Sequence, residues 1–96
     1  MLTAQAAEAI RGLVDDAGLS VPAGLRMDLA EGTLNGGPPR LSSSIVNSPV
    51  QGDQVIAEGG ARLYVASRAA ALIDGKQLDA HSDGDHVTFL LNELPD

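Results

Sequence analysis

The sequence predicts a small α+β fold of mixed or antiparallel strands with an N-terminal helix and one short internal helix. Three observations predict this class. An amphipathic helical pattern opens the chain, alternating apolar runs fill most of the remainder, and glycine-containing turns separate those runs at short intervals. Short connections favour antiparallel or mixed pairing over a doubly wound parallel sheet. A chain of 96 residues is expected to form one domain, residues 1–96.

The first predicted element is a helix over Ala4–Ala17, with Thr3 as its N-cap. Apolar residues recur along it at intervals of three and four, which is typical of a helix with one buried face. Gly18 suits the left-handed position that ends a helix. Leu19 can then pack on Val14, as in a Schellman motif.

Strands and turns follow along the chain. The stretch 31–39 is rich in glycine and proline, and it is interpreted as a loop. Around it, alternation and turn residues predict four strands, with Gly59-Gly60 as a hairpin turn between the last two. These strands are Leu25–Leu29, Leu41–Val46, Asp53–Glu58 and Ala61–Val65.

The last third of the chain contains a short helix and a hairpin. Ser67 is predicted to cap a helix over Arg68–Ile73, which Asp74-Gly75 ends. Two alternating strands follow, Lys76–His81 and His86–Leu91, and Asp83-Gly84 is the hairpin signal between them.

This hairpin tip brings both histidines together with two carboxylates: His81, Asp83, Asp85 and His86. Imidazole and carboxylate groups at close range can ligate a divalent metal ion. A two-residue Asp83-Gly84 turn would place His81 opposite His86, and the residues on either side of the turn, 82 and 85, opposite each other. The alternative is a polar hairpin tip in which the turn requires Asp-Gly and the histidines flank it by chance.

Composition excludes several classes of function. The formal charge of −7 opposes binding to nucleic acid phosphates and to anionic membrane surfaces. One Phe, one Tyr and no Trp leave little for stacking on nucleobases. The absence of cysteine excludes thiol nucleophiles, thiol redox chemistry and thiolate metal sites.

Location and catalysis are also constrained. No apolar run reaches the ~18 residues of a membrane helix, and no secretory signal is visible, so a cytoplasmic protein is expected. The glycines at 32–37 lack the Gly-Lys-Ser/Thr ending of a phosphate-binding loop. Ser42–Ser44 lack a nucleophile elbow, and hydroxyl groups on an exposed edge are the interpretation we favour. We therefore expect no enzyme activity and no cofactor.

The residues from Gly52 to Asp79 resemble those of the HesB-like, A-type iron–sulfur carrier domain. The resemblance lies in Gly52-Asp53-Gln54-Val55, the hairpin that follows it, a serine-containing helix, and Leu72-Ile73-Asp74-Gly75-Lys76-Gln77-Leu78-Asp79. The opening helix and Gly24-Leu25-Arg26-Met27 match in kind and order. The family's fold is a small mixed β-sandwich with two helices.

In that family three cysteines hold the cluster, one in a glycine-rich loop and two in a C-terminal Cys-x-Cys pair. The loop position falls at about Leu34–Gly37 here, and the tail position would begin after Leu94-Pro95-Asp96; neither holds a cysteine. The resemblance therefore implies a cysteine-less bacterial member with an accessory, protein-binding role related to iron–sulfur cluster assembly. It also implies self-association as a dimer. The alternative is a metal-binding protein that uses the 81–86 hairpin.

Overall fold

The computed structural model describes residues 2–30, 41–84 and 86–93. The order of its elements confirms the predicted α+β class. The helices are α1 (Ala4–Asp16) and α2 (Ala70–Ile73), and a short 3₁₀ helix, Ser67–Ala69, precedes α2. The strands are β1 (Gly24–Leu29), β2 (Leu41–Val46), β3 (Gln54–Glu58), β4 (Ala61–Val65), β5 (Lys76–Asp83) and β6 (His86–Glu93).

The strands form a mixed four-stranded sheet and a separate hairpin. The order in the sheet is β2-β1-β4-β3, in which β1 and β4 run parallel while both outer pairs are antiparallel. Strands β5 and β6 form an antiparallel two-stranded sheet. The central strands β1 and β4 carry the most buried side chains of the four-stranded sheet, as expected for strands paired on both sides.

Helix α1 begins and ends as its sequence predicts. The Thr3 hydroxyl accepts a hydrogen bond from the Ala6 N–H at 3.0 Å, and Gly18 has a φ of 72°. The N–H of Leu19 donates to the carbonyl of Val14, and the N–H of Gly18 donates to that of Asp15, which is the Schellman pattern. The last helical residue is Asp16, with Ala17 as the C-cap.

The N-terminal segment anchors α1 to the hairpin. Leu2 forms an isolated parallel bridge with Leu78, whose carbonyl accepts from the Thr3 N–H. The Thr3 hydroxyl also donates to Asp79 at 2.7 Å. One threonine side chain therefore both caps α1 and joins it to β5.

The core is mainly aliphatic, as the scarcity of aromatic residues requires. Helix α1 packs against β5, β4 and β1 through Ala6, Ala7 and Ile10. The largest fully buried side chains are Tyr64, Ile10, Leu25, Leu63, Leu78 and Val65. Neither helix in the described ranges has the length and apolar character needed to cross a membrane.

The short internal helix departs from the sequence prediction at its start. Ser67 is the first residue of the 3₁₀ helix, the N-cap position is Ala66, and no side chain caps this turn. The prediction that Ser67 caps the helix is wrong, because the chain has already become helical at Ser67. Gly75, with a φ of 74°, ends the segment as predicted.

Candidate functional site

The hairpin of β5 and β6 carries the candidate metal ligands. Asp83 lies opposite His86, and His81 lies opposite Thr88. The expected pairing of His81 with His86 is therefore wrong. Gly84, with a φ of 63°, occupies the first position of the turn, so the turn begins one residue later than the Asp-Gly pair predicted. Asp85, the fourth candidate ligand, lies outside the described residues.

The observed register keeps three of the candidate ligands on one face. His81, Asp83 and His86 alternate onto the same exposed side of the hairpin. His81 and His86 are diagonal neighbours, whose Cα atoms are typically ~7–8 Å apart in such a ladder. Among the described residues, no group of three or more His, Cys, Asp or Glu side chains is close enough to hold a metal ion.

His81 also lines a groove between the hairpin tip and α1. The cavity has a volume of about 660 Å³. Glu8 and Asp16 of α1 lie along one wall, and Ser82 and Val87 lie along the hairpin side. The groove is thus wide and partly acidic, and it is open to solvent on the hairpin side, where His81 and Ser82 are exposed.

A second polar cluster, on the four-stranded sheet, was not predicted from the sequence. Arg26 of β1 donates to both carboxylate oxygens of Asp53, at 2.9 and 3.0 Å. Arg26 also pairs with Asp28 at 3.2 Å. Asp28 in turn accepts two hydrogen bonds from Arg68, at 2.7 and 3.0 Å. These four residues, which we call the Asp53–Arg68 network, connect the strands to the 3₁₀ helix.

The network explains part of the Gly-Asp-x-Val resemblance in structural terms. Asp53 also accepts from the N–H of Val50 at 2.9 Å, so its carboxylate closes the turn before β3. Gly52 has a φ of 93°, a value that favours glycine. The sequence feature that could have indicated the Asp53–Arg68 network is the Arg26-x-Asp28 spacing, which puts both side chains on one face of a strand.

Charge pairing shifts the titration of these carboxyl groups. Hydrogen bonds from Arg26 lower the pKa of Asp53. Hydrogen bonds from Arg68 lower the pKa of Asp28. Since each carboxylate is held by a guanidinium group, neither is suited to act as a general base near neutral pH.

A third feature is an open cavity between the two sheets. It has a volume of about 460 Å³ and lies between β1 and β2 on one side and β6 on the other. Met27, Leu41 and Ser43 line the first side, and Phe89 and Leu91 are among the β6 residues that line the second. Leu41 is the first residue of β2, and Leu91 lies near the end of β6.

The predicted serine cluster lies on the edge strand β2. Ser42, Ser43 and Ser44 are all exposed. This confirms the interpretation of these hydroxyl groups as residues of an exposed edge. Ser43 borders the cavity between the sheets, which is open rather than a closed polar pocket.

Comparison with known proteins gives a consistent result at the level of structure. No family model matches the sequence, and no curated protein matches it. Among solved structures, SufA of Escherichia coli, which is involved in the biosynthesis of iron–sulfur clusters, aligns with a TM-score of 0.74 and 27% identity. The alignment covers 96% of this chain and 82% of SufA.

Two further structures share the fold. IscA with a [2Fe–2S] cluster aligns with a TM-score of 0.68 and 22% identity, covering 97% of this chain and 80% of IscA. A protein of Aquifex aeolicus solved by NMR aligns with a TM-score of 0.75 and 19% identity, covering 98% and 90%. The chain therefore has the HesB-like fold of the A-type iron–sulfur carriers, in a sequence that contains no cysteine.

Proposed function

We propose that this protein is a non-enzymatic accessory domain that acts in the cytoplasm by binding other proteins, in a role related to iron–sulfur cluster assembly. It would act without holding a cluster through cysteine. The observation that carries the proposal is the retention of the SufA fold over 96% of the chain in a sequence with no cysteine. The proposal includes a β-sandwich arrangement of the two sheets and self-association as a dimer.

The chemistry of the available ligands supports a protein that has the carrier fold but does not bind a cluster. Iron–sulfur clusters are held mainly by cysteine thiolates, with imidazole as the common substitute. The two histidines here are on one exposed hairpin, where the described residues assemble no group of three or more ligands. A cluster bound there would be open to solvent and incompletely ligated.

The test is anaerobic reconstitution with ferrous iron and sulfide, with IscA, whose structure contains a [2Fe–2S] cluster, as the positive control. After desalting, IscA is expected to keep the visible absorption of an iron–sulfur cluster, and this protein is expected to show none. Stoichiometric cluster absorption from this chain would contradict the proposal.

The second candidate function is binding of a metal ion by His81, His86, Asp83 and Asp85. One observation favours it: the register places His81, Asp83 and His86 on the same exposed face of the hairpin. Two imidazole groups and a carboxylate suit Zn(II) or Ni(II), and exposure predicts weak binding.

For this candidate, titration calorimetry with Zn(II), Ni(II) and Fe(II) is expected to show binding that is lost in the double variant His81→Ala, His86→Ala. The matched control is Thr88→Ala, which alters the same exposed face without removing a ligand. Equal affinity in the wild type and the double variant would exclude the hairpin as the site.

A further inference from the structure

The strand edges of this fold differ in how well they are protected. Among the described residues, β2 and β3 are the edges of the four-stranded sheet, and β6 is paired only with β5. An unpaired edge presents a row of N–H and C=O groups that can pair with another strand. Natural proteins blunt such edges with charges, proline, bulges or short strands.

Strand β6 has the least protection of the three. Strand β2 carries three exposed serines, and β3 is only five residues long and ends at Glu58. Strand β6 has eight residues, and its ladder with β5 runs without a bulge from His86 to Glu93. Between those two ends it contains no charged residue and no proline, although the chain has 13 acidic residues. A charge-depleted stretch of this kind is typical of an interface core.

The turn determines which backbone groups of β6 face outward. Asp83 and His86 flank a two-residue turn, and in such a hairpin the flanking pair is hydrogen-bonded. By alternation, Thr88 and Leu90 direct their backbone groups toward β5. Val87, Phe89 and Leu91 then direct theirs to the free edge.

The side chains of these same residues are incompletely covered. Val87, Phe89 and Leu91 are half-buried, and all three line the open cavity of about 460 Å³ between the sheets. On the opposite face Leu90 is 45% exposed. A strand added along this edge would cover apolar surface on both faces while satisfying the outward backbone groups.

We propose that β6 pairs antiparallel with β6 of a second copy of this chain, centred on Phe89, so that the two hairpins form one sheet in the order β5-β6-β6-β5. This inference deepens the proposed protein-binding function by naming one surface and one partner. It needs no cluster and no metal, so its test is separate from the reconstitution experiment.

The register follows from matching faces. Phe89 lies opposite the partner's Phe89, and Val87 lies opposite the partner's Leu91, so the half-buried apolar side chains form one continuous row. On the other face Thr88 lies opposite the partner's Leu90, and His86 lies opposite the partner's Asn92. Over residues 86–92 no like charges meet across this seam, which favours self-association of a chain with a net charge of −7.

The first test uses the absence of cysteine in the natural sequence. Thr88 and Leu90 would form a non-hydrogen-bonded pair across the seam, where Cα atoms are ~4.5 Å apart, within the range for a disulfide. An equimolar mixture of the Thr88→Cys and Leu90→Cys variants is expected to give a disulfide-linked dimer under mild oxidation. Each variant alone is expected to cross-link at least about tenfold less.

Three results would overturn the proposal. The first is absence of cross-linking in the mixture, and the second is equal cross-linking by either variant alone. The third is equal cross-linking by a control mixture of Ser42→Cys and Ser44→Cys, which places the same spacing on the β2 edge. All four positions are exposed, and all but Leu90 are polar. Circular dichroism checks that each variant is folded.

The second test measures the association directly by sedimentation equilibrium. The wild type is expected to dimerise. In the double variant Thr88→Lys, Leu90→Lys, two pairs of lysines face each other across the seam, so the dimer dissociation constant is expected to rise at least about tenfold. The double variant Thr88→Glu, Leu90→Lys places opposite charges opposite each other at the same two positions, and it is expected to restore dimerisation. A wild type that stays monomeric at 100 µM, or identical constants for the two double variants, would contradict the proposed register.

Discussion

At the scale of single residues, the carboxylate of Asp53 joins β1 to the turn before β3. Its side chain is only 2% exposed, and it accepts two hydrogen bonds from Arg26 and one from the Val50 N–H. Hydrogen bonds to a charged group contribute about 1.5–3 kcal/mol, and a buried donor left without its partner adds a penalty. The guanidinium group of Arg26 depends on Asp53 most, since hydrogen bonding to Asp53 raises the pKa of Arg26.

We therefore expect Asp53→Asn to lower the free energy of unfolding by about 2 kcal/mol at pH 7. Urea denaturation followed by circular dichroism measures this. The control is Asp15→Asn, which removes one exposed carboxylate from α1 and is expected to change stability by less than about 0.5 kcal/mol.

The loss of stability caused by Asp53→Asn is expected to depend on pH in a definite direction. The pKa of Asp53 is lowered in the folded state, so its contribution is complete above the unfolded pKa of about 3.9 and is lost as pH falls through the folded value. The difference between wild type and Asp53→Asn is therefore expected to be constant from pH 7 to 5 and to shrink below about pH 4. An undiminished difference at pH 3 would contradict the role assigned to the ionised carboxylate.

At the scale of elements, two glycines in ordinary conformations have opposite environments. A Cβ atom at Gly12, on the exposed side of α1, would meet nothing within 4 Å. A Cβ atom at Gly24, the first residue of β1, would lie 2.5 Å from the backbone oxygen of Arg62. Glycine costs an exposed helix position about 1 kcal/mol relative to alanine.

Gly12→Ala is therefore expected to raise the stability by about 1 kcal/mol and the melting temperature by about 4–8 °C. Gly24→Ala is expected to lower the stability by about 2 kcal/mol, because β1 and β4 would have to separate. Thermal melts of the two variants beside the wild type measure both effects. Shifts of the same sign would refute the packing described for α1 and the central strands.

Local signals made some elements predictable. The limits of α1 followed from Thr3 and Gly18, because capping depends on a few neighbouring residues. The register of the β5–β6 hairpin did not follow. Shifting the turn by one residue shifts the pairing by two, and both registers keep Leu78 and Ala80 opposite apolar residues of β6. Hydrophobic alternation alone therefore could not distinguish them.

At the scale of the whole molecule, the features that the sequence left open depend on distant contacts. The parallel pairing of β1 with β4 joins Leu25 to Leu63, and no local pattern specifies it. The Asp53–Arg68 network likewise joins residues from separate elements. The resemblance supplied the overall architecture, since it is carried by the order of short motifs along the chain rather than by any single contact.

The central claim is that this fold has been kept without the chemistry of a cysteine-held cluster. The most direct measurement is the amount of iron and acid-labile sulfide bound per chain after anaerobic reconstitution and desalting, with IscA, whose structure contains a [2Fe–2S] cluster, treated in parallel. We predict that sulfide is absent from this chain and retained by IscA. If the chain binds iron without sulfide, and the double variant His81→Ala, His86→Ala does not bind it, the hairpin is identified as a metal site instead. Iron and sulfide in stoichiometric amounts would contradict the account.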